Sequence, residues 1–411
     1  MQRLKGLVIA ALLGAGLGGH TIASAGSAAS ELVERGRYLA LAGDCVACHT
    51  AAGGTPYAGG RPIKTPFGAI YSRNLTPDAE TGIGLWSGAD FYRALHEGKS
   101  RDGSHLYPAF PYPYFTRISR DDATAIKAYL DSLAPVRSRP PPNRLPFPLN
   151  QRGVMVAWNA LFFRHVAEPA PTTDRGAYLV EVLGHCGACH TPKNLLGADK
   201  AAAPLQGGEI DHWLAPNGSG DQGSGLGKWS EDEIVEYLQT GRNARALAGG
   251  PMAEVVEVST SRMNADDLHA IARYLKRLPA AGLDTLASRA DAQTMATGEA
   301  IFVDACAGCH QSSGAAVPCV FAPLKGSSIV QAKNSLDVIR LILQGARSAT
   351  TDARPTPFTM PAFAWKLDDQ QVAALATYVR NAWGNVAPPV NAAEVSDLRK
   401  QLDKELRAAA P

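Results

Sequence analysis

The sequence predicts an all-α chain in which one small helical domain is repeated three times in tandem. Three observations lead there. The pattern C-x-x-C-H occurs at Cys45-Val46-Ala47-Cys48-His49, Cys186-Gly187-Ala188-Cys189-His190 and Cys306-Ala307-Gly308-Cys309-His310. Helix-like stretches of matching character stand before and after each copy. Finally, 40 glycines and 28 prolines against 7% aromatic residues favour small modules joined by long loops over one large sheet core. With 45% hydrophobic and 19% charged residues, the 411-residue chain has the balance of a folded protein rather than a disordered one.

Residues 1–25 read as a signal peptide, with Arg3 and Lys5, an apolar run from Gly6 to Gly18 and the small-residue cleavage pattern Ala23-Ser24-Ala25. The run is shorter than the roughly 20 apolar residues of a spanning helix. Export to the periplasm is the expectation. Without Arg3 and Lys5 the formal net charge of +2 falls to zero, which leaves no basic field for nucleic acid.

Domain 1 is placed at 31–134. A helix-like stretch begins near a glycine, Gly36-Arg37-Tyr38-Leu39; a middle element follows Trp86-Ser87 from Phe91 to Gly98; and Asp121-Asp122 opens a last helix through Ile126 and Leu130. Residues 135–172 form a linker stiffened by Pro140-Pro141-Pro142, and inside it Val154 to Phe163 is too apolar for a plain spacer. That segment either packs between domains or offers a patch to a partner subunit. Domain 2, at 173–280, repeats the order with Gly176-Ala177-Tyr178-Leu179, Trp229-Ser230 before Ile234 to Gly241, and Asp266-Asp267 before Ile271 and Leu275. Domain 3, at 291–386, has Gly298-Glu299-Ala300-Ile301 and Asp368-Asp369, and keeps only Ile339 to Gly345 of the middle element. The tail, 387–411, is an amphipathic helix with Val395, Leu398, Leu402 and Leu406 on one stripe.

The spacing of C-x-x-C-H carries c-type haem chemistry: two thiols add to the two vinyl groups of one haem, and the next imidazole reaches the iron. The expected cofactor is therefore haem c, covalently bound, three per chain, on Cys45, Cys48, His49, Cys186, Cys189, His190, Cys306, Cys309 and His310. A helix before the haem, a middle helix and a final helix crossing the first are what a cytochrome c-like domain requires. Each iron still needs a sixth ligand, and a methionine thioether there favours ferrous iron and raises the potential. Met252 follows His190 by 62 residues and Met360 follows His310 by 50, both beside proline in expected loops, so both are read as ligands. Domain 1 offers no such methionine. Phe110 stands in the corresponding loop, with His105 nearby, so its iron is either ligated by His105 or open. Cys319 is left over and reads as a small buried hydrophobe, with an intersubunit disulfide as the other possibility.

The chain resembles the triheme cytochrome c subunit of bacterial periplasmic, membrane-associated dehydrogenases over nearly all its mature length. The resemblance is carried by Asn74-Leu75-Thr76-Pro77-Asp78 with Thr81-Gly82-Ile83-Gly84, by Arg175-Gly176-Ala177-Tyr178-Leu179-Val180-Glu181, and by Gly250-Pro251-Met252-Ala253-Glu254-Val255-Val256. It implies an electron-transfer subunit, not an enzyme by itself, at the outer face of the inner membrane, with Met252 and Met360 as axial ligands. The implied partners are a catalytic dehydrogenase subunit, then ubiquinone or a downstream cytochrome or oxidase, with contact to the membrane surface. Phe110 departs from the alcohol dehydrogenase pattern, which has methionine there. Together with Leu145-Pro146-Phe147-Pro148-Leu149 and His190-Thr191-Pro192-Lys193-Asn194-Leu195-Leu196-Gly197, it is more similar to subunits that accompany molybdenum hydroxylases oxidising aldehydes or N-heterocycles than to those of quinoprotein alcohol or flavin gluconate dehydrogenases. The competing class is a multihaem peroxidase or ligand sensor using the haem of domain 1. No nucleophile constellation or dinucleotide glycine fingerprint offers a substrate site.

Overall fold

The computed structural model describes residues 20–167, 173–281 and 290–409. The expected signal peptide falls mostly outside them.

The first stretch runs through helix α1 (His20–Ala42), the attachment turn α2 (Cys45–Cys48), a hairpin of β1 (Pro62–Thr65) and β2 (Gly68–Tyr71), α3 (Gly88–Glu97), α4 (Tyr112–Phe115) and α5 (Arg120–Asp131). The linker carries α6 (Val154–Phe162). The order then repeats as α7 (Arg175–Tyr178), which continues into a π-turn over Leu179–Leu183, α8 (Gly187–His190), β3 (Gly208–Ile210), β4 (Trp213–Ala215), α9 (Glu231–Thr240), α10 (Gly250–Val258) and α11 (Ala265–Arg277). A third pass gives α12 (Ala292–Ala305), α13 (Ala307–His310), α14 (Leu336–Gln344), β5 (Ala346–Arg347), β6 (Thr359–Met360) and α15 (Asp369–Asn381), and α16 (Ala392–Ala409) closes the chain. The fold is largely helical. The all-α expectation passed over three antiparallel hairpins, in which Ile63 faces Ile70, Glu209 faces Leu214 and Ala346 faces Met360. Strands of two to four residues are too short to show a period-two pattern.

Side-chain caps start the helices. Ser87 and Asp90 form a capping box on α3, Ser230 and Glu233 on α9, and Asp368 and Gln371 on α15, while Gly98 and Gly241 end α3 and α9 in the left-handed region. The paired aspartates at 121–122 and 266–267 sit in the first turns of α5 and α11, whose caps are Ser119 and Asn264. The glycine before each attachment motif has a different role from the one its sequence position suggests. Gly36, Gly176 and Gly298 mark crossings where the first helix meets the last, and a Cβ there would lie 1.8, 2.1 and 2.2 Å from the carbonyl oxygens of Ala125, Ala270 and Ala374. Only a glycine lets the two backbones approach so closely.

Two large apolar cores result among the described residues, with a small cluster of Ala248, Ala253, Val256 and Ala349 beside them. One runs continuously through the first two stretches and includes Leu39, Phe91, Leu130, Leu179, Leu183 and Leu268. The other holds Phe302, Leu343 and Leu375 together with Val395, Leu398 and Leu402 of α16, so the tail's stripe packs on its own chain; the side chain of Leu406 lies outside the described residues. The shared core is bordered by a reciprocal polar exchange. Tyr38 donates to Asp267 Oδ2 (2.6 Å) and Tyr178 donates to Asp122 Oδ2 (2.5 Å), while Arg35 pairs with Asp122 (2.6 Å) and Arg175 with Asp267 (2.7 Å). In the linker, Met155 of α6 is buried, Tyr112 donates to Asn159 Oδ1 (2.5 Å) and Trp158 Nε1 donates to the Leu196 carbonyl (3.0 Å). Thus α6 packs between the first two stretches, and it also leaves Val156 and Leu161 exposed.

Candidate haem sites

Each attachment motif folds into one tight turn. In the first, Asp44 takes a left-handed conformation (φ 51°) just before Cys45, and the His49 amide returns to the Cys45 carbonyl (3.1 Å). The His190 and His310 amides close on Cys186 and Cys306 in the same way, at 3.0 Å each. None of the six motif cysteines is in a disulfide, so both thiols of each pair are available to a haem. Burial pushes Cys45, Cys48 and Cys186 up to about 12 and Cys306 to about 11, which marks each sulfur pair as enclosed rather than solvent-facing.

The three histidines share one further feature. His49 Nδ1 lies 2.7 Å from the Arg73 carbonyl, His190 Nδ1 lies 2.7 Å from that of Pro216, and His310 Nδ1 lies 3.0 Å from that of Ala322. A carbonyl only accepts, so Nδ1 carries the proton and Nε2 keeps its lone pair. Burial lowers the pKa of all three rings, which outweighs the carbonyl contact and keeps them neutral. A neutral imidazole oriented through its far nitrogen is a prepared iron ligand. The residues therefore fit a covalent haem.

The carbonyl acceptors were not foreseen, although the sequence signals two of them. Each precedes an asparagine in a repeated loop: Asn74, Thr76, Asp78 and Thr81 recur at the same spacing as Asn217, Ser219, Asp221 and Ser224. Asn74 Oδ1 accepts from the Thr76 amide and Asn217 Oδ1 from the Ser219 amide, both at 2.9 Å, while Asp78 and Asp221 bind the amides of Thr81 and Ser224 at 2.6 Å. These turns aim the carbonyls.

Met252 sits within α10 rather than in a loop. Pro251 occupies the first turn of that helix, a position proline favours because its missing N–H has no partner there anyway, so proline marks a helix start here. Met252 is half-buried at the rim of the same core as Cys186. Met360 lies on β6 opposite Ala346, also half-buried, instead of in a free loop. Phe110 packs on the shared core with its ring 5.6 Å from Phe115. Asn159 Nδ2 meets His105 Nδ1 (3.2 Å) and Arg152 donates to the His105 carbonyl (2.6 Å), so His105 is tied to the linker. His96 is buried, stacks on Tyr92 and shares a hydrogen bond with His165 (3.0 Å). Cys319 is half-buried with Glu236 Oε1 at 4.0 Å.

The first two attachment turns lie near each other: Cys189 adds to the upward shift of Cys48, and Asp44 raises both thiols. Burial pushes the Asp44 carboxyl up to about 8, with Glu254 adding to the shift and Arg61 opposing it.

Comparison with known proteins meets the same residues. The family model described as Cytochrome c matches residues 33–134 and 295–383. The gluconate 2-dehydrogenase cytochrome c subunit of Pantoea cypripedii is 41% identical over 398 residues, covering 90% of each chain. This chain belongs to the cytochrome c subunits of dehydrogenases. The cytochrome c subunit of the quinone alcohol dehydrogenase of Komagataeibacter europaeus is 40% identical, over 93% of this chain and 87% of that one. A nicotinate dehydrogenase subunit of Pseudomonas putida is 44% identical over 88% of this chain, which spans 31% of its length. As a member of this family the cytochrome subunit transfers electrons rather than catalysing substrate turnover, and covalently bound haem c is its cofactor.

Proposed function

We propose that this cytochrome subunit takes electrons one at a time from the catalytic subunit of a periplasmic dehydrogenase and relays them through three haems to ubiquinone or to a downstream cytochrome or oxidase. The observation that carries the count is the threefold recurrence of a Cys-x-x-Cys turn whose histidine is held by a main-chain carbonyl. Each haem supplies reversible one-electron iron chemistry. The chain's own contribution is to fix the proximal imidazole, enclose the macrocycle and choose the distal side. In this reading the domains are 31–134, 173–280 and 291–386, Met252 and Met360 close the second and third irons, and the first iron lies under Phe110. Asn159 Nδ2 donates to His105 Nδ1, which leaves the proton on Nε2 and so supports an open first iron over ligation by His105. The protein is placed in the periplasm at the outer face of the inner membrane.

For the catalytic partner, the 44% identity to the nicotinate dehydrogenase subunit supports one that oxidises an N-heterocycle or aldehyde with molybdenum. The near full-length match to the gluconate dehydrogenase subunit favours a sugar-acid or alcohol partner as the second reading. Purification of the native complex, with identification of the large subunit and its cofactor, decides between them. A haem assay on the denatured chain gives three per polypeptide; one or two would overturn the relay as described.

A further inference from the structure

We propose that Arg61 and Glu254 are a positioning pair for electron transfer between the first and second haems; the inference rests on the assignment of those haems and of Met252 given above. The guanidinium of Arg61 forms a fork on the Glu254 carboxylate, with Nη2 2.7 Å from Oε2 and Nη1 on Oε1. The same Nη1 donates to the carbonyl of Ala47 (2.9 Å), one of the two residues between Cys45 and Cys48. Glu254 stands on α10 two residues after Met252, and α10 rests against the first attachment turn. One arginine thus ties the attachment turn of the first haem to the helix that presents the distal ligand of the second.

Its backbone ties in a third element. The Arg61 amide donates to Ser72 Oγ (3.1 Å), and the Ser72 amide donates to the Arg61 carbonyl (3.0 Å). Ser72 precedes Arg73, whose carbonyl holds His49. Displacement of Arg61 therefore disturbs both the thioether side and the proximal side of one site and the distal side of the other. Both side chains are about one-third exposed, and a bidentate guanidinium–carboxylate pair at that depth has more geometric definition than a surface ion pair. Transfer between the two sites moves one electron: one iron is oxidised, the other is reduced, no bond is made and no proton is released. Its rate then depends on the separation and orientation that this pair fixes and on the potential difference that its two charges set.

The test uses the full holoprotein with Arg61→Gln, Glu254→Gln and the double variant. Each is followed by rapid photoreduction for interhaem rates and by spectroelectrochemical titration for individual potentials. Either single change slows transfer between the first two haems by roughly tenfold, a typical effect of losing a partner just outside a metal's ligands. The potential gap between those haems shifts, the third haem keeps its potential, and the haem content stays at the wild-type value. The double variant is no slower than the slower single one, because both remove the same link. Rates and potentials indistinguishable from wild type, or effects of the two changes that simply add, overturn the proposal. Should Arg61→Gln fail to mature, Glu254→Gln leaves an amide of the same size and carries the test alone. Met252→Ala separates the two levels of failure. If it leaves the near-infrared sulfur-to-iron band of the ferric protein undiminished, the ligand assignment falls and the pairing argument with it. If the band weakens while Arg61→Gln changes nothing, the positioning role alone is refuted.

Discussion

Replacing Tyr178 by phenylalanine removes one hydroxyl from the seam between the first two helical stretches. That hydroxyl is buried and donates to Asp122 Oδ2 at 2.5 Å. Asp122 keeps one other side-chain ligand, Arg35 at 2.6 Å, and the Arg35 side chain is more than half exposed. A hydrogen bond to a charged group is worth about 1.5–3 kcal/mol, and the loss here leaves a largely buried carboxylate with a solvent-weakened partner, so the cost is placed at about 2 kcal/mol. The two stretches share one core and unfold as a body of some 250 residues, for which the melting temperature falls by roughly 4–8 °C. The reciprocal change, Tyr38→Phe, costs about 1 kcal/mol, because Tyr38 is itself half-exposed and Asp267 retains two contacts from Arg175, at 2.8 and 2.7 Å. Thermal unfolding of the two holoproteins, followed by calorimetry and far-ultraviolet circular dichroism, measures both shifts. An unchanged melting temperature in Tyr178→Phe, or a larger loss in Tyr38→Phe, would refute the reasoning.

Gly176→Ala places a Cβ 2.1 Å from the Ala270 carbonyl and prevents accumulation of folded protein, whereas Gly88→Ala, which meets nothing within 4 Å, leaves yield and melting unchanged; expression and haem content check both. Burial raises the Asp337 carboxyl from 3.8 to about 6, the nearby Glu209 adding to the shift while the Leu214 amide and Arg340 oppose it. Because the folded pKa lies above the unfolded one, the folded state holds the proton more tightly between pH 4 and 6. Stability therefore falls as pH rises through that window and levels off above it, by at most about 3 kcal/mol. Asp337→Asn keeps an acceptor for Leu214 and flattens the fall in denaturant midpoints against pH; a retained slope assigns it to another group. In the ferrous protein, carbon monoxide binds at one equivalent per three haems, and Phe110→Met abolishes that binding. A wild-type protein that takes up none, with His105→Ala also inert, would mean that an unidentified ligand closes the first iron.

The cytochrome c character and the helices around each Cys-x-x-Cys-His turn were legible because both are local: a five-residue chemical pattern and the apolar spacing of single helices. What stayed hidden depends on contacts between distant segments. Gly36 and Gly176 looked like helix starts, since a glycine's role as a crossing point depends on a partner some ninety residues away. Pro251 looked like a loop signal because proline serves both loops and helix first turns, and one sequence position does not say which. Tyr38 and Tyr178 were visible as equivalent positions, yet their exchange of aspartates across the seam appears only when both copies are folded together. Arg61 and Glu254 lie 193 residues apart and belong to no repeated phrase.

The main-chain hold on His49, His190 and His310 has an evolutionary side. Its three acceptors belong to an arginine, a proline and an alanine, side chains with nothing in common. Since the oxygen comes from the main chain, no point mutation at those positions can delete it, and the side chains are free to drift while ligand orientation is inherited through the path of the loop. Selection on this chemistry then falls on the turn-formers beside the acceptors, such as Asn74 and Asn217, rather than on the residues that make the bond.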